Sequence, residues 1–141
     1  MTDQQFEKTL TANDTGHSGG HQAGIHVPKG QTDLIAFLPR LDAGVKNPSV
    51  WLTAVDEDGA RWEFRYVYYN NSLHEASGTR DEFRITHMTS YLRSAGAKPG
   101  DLLIIGGAPG TGTIKIRIRR SDDQEDSAPR PIRLRGWRRV H

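Results

Sequence analysis

The stretch that most constrains the fold runs from Ser49 to Tyr69. Val50, Leu52 and Ala54 alternate with Trp51, Thr53 and Val55. After Glu57-Asp58-Gly59 the alternation resumes, with Trp62, Phe64, Tyr66 and Tyr68 set against Arg61, Glu63, Arg65 and Val67. Successive side chains of a strand point to opposite faces, so each run reads as a strand with one buried side. Asp-Gly between two such runs supplies the positive φ of a tight turn. The pair is a hairpin, and it makes strands rather than helices the framework of the chain.

Other elements follow in order. Phe6–Thr11 alternates weakly. Ile25 and Val27 oppose His26 in a short strand that Pro28 ends. Thr32–Leu38 places Leu34, Ile35 and Leu38 at helical spacing, with Thr32 or Asp33 to cap it and Pro39 to stop it. Met88, Tyr91 and Leu92 give a second short helix over Thr86–Ala95. Leu102–Ile105 and Thr113–Arg120 are strands, and in the second Ile114, Ile116 and Ile118 alternate with Lys115, Arg117 and Arg119. The sum predicts a mainly β fold, a seven-stranded open β-barrel or pseudobarrel with two short α-helices. A doubly wound βαβ sheet lacks the helices it needs. At 141 residues the chain is most simply one domain, expected over residues 1–120. Residues 121–141 read as a tail: acidic SDDQED, a linker at SAPRP, then basic PIRLRGWRRVH.

Composition removes several classes of protein. There is no cysteine, hence no disulfide framework and no thiolate metal site. No apolar signal region opens the chain and no apolar run approaches ~20 residues, which predicts a soluble, cytoplasmic protein without membrane contact. Net charge is only +2, but residues 61–120 hold ten Lys/Arg against five Asp/Glu, while residues 1–60 hold four against eight. A basic central block is compatible with a polyanionic partner.

Several motifs carry candidate chemistry. Thr11–Pro28 is a glycine-bearing polar loop feeding a strand; its Asn13, Asp14, Thr15, His17, Ser18, His21 and Gln22 offer far more hydrogen bonding than a connector needs. Gly106–Thr113 looks like a phosphate loop, yet Thr113 stands where a lysine belongs and a strand follows instead of a helix, so it reads as a hairpin loop. His17, His21 and His26 lie close together, without the cysteine or carboxylate that would complete a metal set. Glu63, Asp81 and Glu82 leave open a small metal-dependent nuclease. Trp62, Tyr66 and Tyr68 leave open a single-strand-binding barrel that stacks bases, although their alternation suits a core face. Arg80, Asp81, Glu82 and Arg84 form a mixed cluster. Arginine bridges the O6/N7 edge of guanine and a carboxylate accepts from the cytosine amino group, so such a mixture suits base reading; a solvated hairpin with weak local ion pairs fits it equally.

Three stretches, Leu10–Pro28 (LTANDTGHSGGHQAGIHVP), Asn47–Ala54 (NPSVWLTA) and Tyr68–Thr86 (YYNNSLHEASGTRDEFRIT), resemble the N-terminal effector domain of EcoRII-type restriction endonucleases. The patterns NDTG…GGHQ and TR.E.RIT carry the likeness, which fades beyond about residue 90. The resemblance implies a plant B-three-like DNA-binding pseudobarrel whose two arms grip the major groove, here Asn13–Gln22 and Asn71–Arg84. It implies double-stranded DNA as partner, with a CC(A/T)GG site, and base contacts from His21, Arg80, Glu82 and Arg84. Phe83 stands where the family pattern has lysine. It further implies a domain that binds a second target copy and regulates a separate C-terminal nuclease without cutting DNA itself. The expected catalytic set is therefore none and the expected cofactor none, magnesium entering only with an attached nuclease domain. Lys115, Arg117 and Arg119 are expected to meet phosphates.

Overall fold

The computed structural model describes residues 3–16, 24–121 and 136–140. The strands are β1 (Gln4–Thr9), β2 (Ile25–Val27), β3 (Ser49–Val55), β4 (Arg61–Tyr69), β5 (Glu82–Thr86), β6 (Leu102–Gly107), β7 (Thr113–Arg119) and β8 (Trp137–Val140). Three short helices join them: α1 (Ala12–Thr15), α2 (Thr32–Phe37) and α3 (Thr89–Ser94). All eight strands form one sheet in the order β2-β5-β4-β3-β7-β6-β1-β8. Every described pairing is antiparallel except β3 with β7. The sheet curls until its two edge strands meet, where the Trp137 indole on β8 donates to the His26 carbonyl on β2 at 3.0 Å.

The hairpin of β3 and β4 pairs from Ser49↔Val67 to Val55↔Arg61, as its alternation predicts. Leu52, Phe64 and Tyr66 point inward and are buried, with Phe6, Leu103, Ile105, Ile114 and Ile116 from the facing strands. The helices plug this core. Phe37 of α2 packs on Phe6 with ring centroids 5.1 Å apart, and Tyr91 of α3 meets Trp62 edge-on at 5.4 Å. The rings of Tyr66 and Tyr68 are thus core groups, and Trp62 is half-buried with its indole donating to Asp56. They offer no platform for stacked bases. The glycine-rich run joins β6 to β7 as a hairpin connection, Ile105↔Ile116 lying in the paired part.

Three features depart from the sequence expectation. Among the described residues the barrel has eight strands, not seven; β5 lies in the charged second loop, and β8 comes from Trp137–Val140, within the segment read as tail. It pairs with β1 from Lys8↔Trp137 to Gln5↔Val140 and buries Trp137. Two arginines in a four-residue strand hide its alternation. Among the described residues there are three helices, not two, because the single turn α1 forms at the base of the first loop. The helix expected from Thr86 begins at Thr89, since β5 runs through Thr86 and His87 adopts a left-handed φ of 67° that breaks the chain direction. The acidic run 122–126 and the SAPRP stretch lie outside the described residues. Among the described residues no helix is long and apolar enough to cross a membrane.

Candidate nucleic-acid interface

The second loop, between β4 and β5, is built by local geometry. Asn71–Leu73 form a 3-10 turn, and the Asn71 side chain accepts from the Arg80 amide at 2.8 Å, closing the loop on itself. Gly78 lies so near the Asn71 carbonyl that a Cβ there would sit 2.2 Å from its oxygen. Asn70, fully buried, clasps the preceding loop: it accepts from the Asn47 amide at 2.7 Å and donates to the carbonyls of Val45 and Ala43. Lys46 and Glu75 add an ion pair. The loop is an arm with a rigid base.

Arg80, Glu82 and Arg84 come together at its root. Arg80 donates to Glu82 Oε1 through Nε and Nη2 at 3.0 and 2.9 Å. Its guanidinium lies over the Tyr69 ring, 3.7 Å from the centroid. Arg84 donates from Nε to Glu82 Oε2 at 3.1 Å and from Nη1 to the Gly24 carbonyl at 3.1 Å. Partial burial pushes the Glu82 carboxyl up, but the bonds from Arg80 and Arg84 outweigh it and hold the group below its ordinary range. Glu82 is thus an anion between two cations, all three half-buried and open on one side. Each arginine keeps N–H donors that these bonds do not use.

The remaining expected residues take other positions. Asp81 accepts from Lys29 at 2.8 Å and from the Tyr68 hydroxyl, and the Lys29 bond first, then that of Tyr68, holds its carboxyl low. Lys29 follows β2, so this pair links the roots of the two loops. Phe83 points to the core side and stacks on Tyr68 at 4.2 Å between centroids with rings 5° apart. In the first loop, Asp14 is buried, pairs with Lys8 at 2.5 Å, and forms a capping box with Thr11. The Thr15 hydroxyl bonds the Thr11 carbonyl at 3.1 Å, and Asn13 is exposed. His17, Ser18, His21 and Gln22 lie outside the described residues. Gly24 closes this loop at φ +90°, where a Cβ would meet the Ile85 carbonyl oxygen at 2.6 Å. The two loops therefore converge on one point, Gly24 against Arg84.

Lys115, Arg117 and Arg119 are not brought to that point. Lys115 is level with Val55, which pairs with Arg61, at the end of β4 opposite the arm. Asp81 and Glu82 are occupied by cations, Glu63 accepts from the Thr53 hydroxyl, and among the described residues no group of three His, Asp or Glu gathers as a metal site. Lys29, Tyr69 and Gly24 went unnoticed in the sequence, because their roles depend on partners as far as 60 residues away.

The family model of restriction endonuclease EcoRII, N-terminal, matches residues 2–108. The chain belongs to the EcoRII N-terminal domain family. The Type II restriction enzyme EcoRII of Escherichia coli is 43% identical over 84 residues, which is 57% of this chain and 20% of the enzyme. Auxin response factor 3 of Oryza sativa subsp. japonica is 30% identical over 124 residues, 87% of this chain and 15% of that protein. Auxin response factor 3 of Arabidopsis thaliana is 29% identical over 128 residues, 90% of this chain and 19% of that protein. The chain thus spans a fifth or less of the length of these relatives. The match to the EcoRII N-terminal model takes in both loops and the Arg80–Glu82–Arg84 cluster.

Proposed function

We propose that this chain binds double-stranded DNA in a sequence-specific way, as the non-catalytic effector domain of a Type II restriction endonuclease. The observation that carries the reading is the Arg80–Glu82–Arg84 cluster, a pre-ordered donor–acceptor–donor set at the root of a braced arm, in a chain of the EcoRII N-terminal family. Arg80 and Arg84 donate to guanine edges and Glu82 accepts from cytosine. His21, with Asn13, His17, Ser18 and Gln22, reads from the first arm. Asp14, Thr15, Asn71, Asp81 and Phe83 shape the arms from within. Lys115, Arg117 and Arg119, on a separate wall, add to the positive field that attracts the polyanion. A CC(A/T)GG-like duplex is the expected target, and a C-terminal nuclease domain of the same protein, with magnesium in that domain, the expected partner.

The test is a fluorescence-anisotropy titration with a CC(A/T)GG duplex and point-changed duplexes at fixed salt. The cognate duplex is expected to bind best, and Arg80→Ala to remove about 1–3 kcal/mol of the preference, the usual worth of one bidentate base contact. If Arg80→Ala weakens all duplexes equally, Arg80 touches phosphate and the base-reading assignment fails. Cleavage of plasmid by the purified chain with magnesium would overturn the non-catalytic reading.

A further inference from the structure

The outer barrel wall beside the arms carries a strip of side chains that the base-reading cluster does not use. Trp51 on β3, Arg65 on β4 and Thr86 on β5 are direct cross-strand partners. Such partners share one face of a sheet, and here their chain neighbours Leu52, Phe64 and Ile85 take the buried face. His87 extends the row: its ring meets that of Trp51 edge-on at 5.0 Å, and the Thr86 hydroxyl lies 2.9 Å from its Nδ1. The same hydroxyl donates to the Arg65 carbonyl at 3.4 Å, so Thr86 ties the His87 ring to the neighbouring strand.

Three properties mark the strip as a contact surface. Trp51 is 54% exposed, the only aromatic among the large exposed apolar residues described. His87 holds a left-handed backbone, an outlier that a non-glycine residue adopts at a cost and that clusters at binding sites. Arg65 differs from Arg80 and Arg84 in that, among the described residues, no carboxylate pairs with it. It lines the same concavity of about 310 Å³ as Tyr69, Arg80 and Gly24, so the strip runs continuously into the arm roots.

The chemistry selects phosphate rather than bases. The four residues of the strip are a guanidinium, a hydroxyl, an imidazole and a flat indole, and the nearest carboxylate on that face, Glu63, accepts from the Thr53 hydroxyl, whereas the arm cluster has Glu82 between its two arginines. The strip also lies on the barrel wall, not on a projecting arm. We infer that Trp51, Arg65, Thr86 and His87 form a seat for the sugar–phosphate backbone of duplex DNA, Arg65 donating to phosphate oxygens and the paired rings of Trp51 and His87 lying against deoxyribose. The inference rests on the proposed two-arm grip. The seat fixes the register at which the arms enter the groove.

The experiment titrates the full chain and its variants with cognate and scrambled duplexes between about 50 and 200 mM salt. Arg65→Gln is expected to weaken both duplexes by the same factor, about tenfold, since a charge-assisted bond is lost. It should lower the slope of log affinity against log salt by about 0.9 and leave the cognate-to-scrambled ratio unchanged. His87→Gly relieves the left-handed backbone, so it is expected to melt no lower than the parent while binding both duplexes more weakly; parental affinity in this variant counts against the seat. Wild-type affinity and salt slope in Arg65→Gln, or a changed ratio, overturns the inference. Equal binding of the two duplexes by the unaltered chain would instead refute base reading, while the Arg65→Gln slope still judges the seat.

Discussion

Glu82 is the residue on which the arm root depends. One carboxylate accepts from two guanidiniums, so removing its charge leaves Arg80 and Arg84 facing each other uncompensated. The folded-state carboxyl is held below its ordinary range. A depressed carboxyl contributes stability above its unfolded value and loses it as pH falls through the folded value. Melting temperature should therefore fall as pH drops below the ordinary carboxylate range, and Glu82→Gln should show a smaller fall over that window. Equal acid sensitivity in both proteins would remove Glu82 as a contributor. Phe83 makes the converse case. The family pattern places a lysine there, yet in this chain the ring stacks on Tyr68 and packs against the core. Phe83→Ala is expected to cost about 2 kcal/mol of stability by denaturant unfolding, from lost area and ring stacking, and to leave the DNA preference in place. Residue type alone did not separate these two neighbours; strand alternation does, because Glu82 and Arg84 share one face of β5 and Phe83 and Ile85 the other.

At the scale of elements, the second arm is a device for holding a loop still. Its glycine at position 78 answers a close approach rather than a special torsion, since the space a Cβ needs is filled by the Asn71 carbonyl. Backbone cannot yield as a flexible side chain does, so Gly78→Ala should displace the arm. Duplex affinity is expected to fall at least about tenfold, as roughly 1.4 kcal/mol of misplaced contact suffices. The melting temperature should move little, because the arm lies outside the core. Large unfolding with retained affinity in the folded fraction would contradict this. Asn70-Asn71 and Ser77-Gly78 are residue pairs that favour turns. The clasp by Asn70 was not legible, because its partners at Ala43, Val45 and Asn47 lie 23 to 27 residues away. Period-two alternation made the β3–β4 hairpin readable at once, whereas β5 disappeared into a charged loop because only Ile85 is fully buried on it.

For the whole molecule, the decisive contact joins the two ends of the sheet. β2 and β8 are the two ends of the sheet and no ladder joins them; β2 carries His26 opposite Arg84 and ends beside Lys29. Trp137 bridges the two ends with its indole bond to His26 and buries its ring in the core. A four-residue strand with two arginines looked like tail because its partner, β1, lies about 130 residues earlier in the chain, as the bond between Arg138 and Glu7 marks. Closure therefore couples the C-terminal strand to the roots of both arms. Trp137→Phe keeps most of the packing but leaves the His26 carbonyl without its donor, and should cost about 1–3 kcal/mol. Trp137→Ala adds a cavity and should cost about 3–5 kcal/mol. Amide exchange would locate the effect: protection should fall at Ile25–Val27 and along β1 in Trp137→Phe, while the β3–β4 hairpin keeps its protection. Uniform loss across all strands would mean that the barrel opens as one unit and that β8 has no special hold on the arms. Selective loss at β2 would make duplex affinity track the integrity of β8, because the arms act together only while the two ends of the sheet stay bridged.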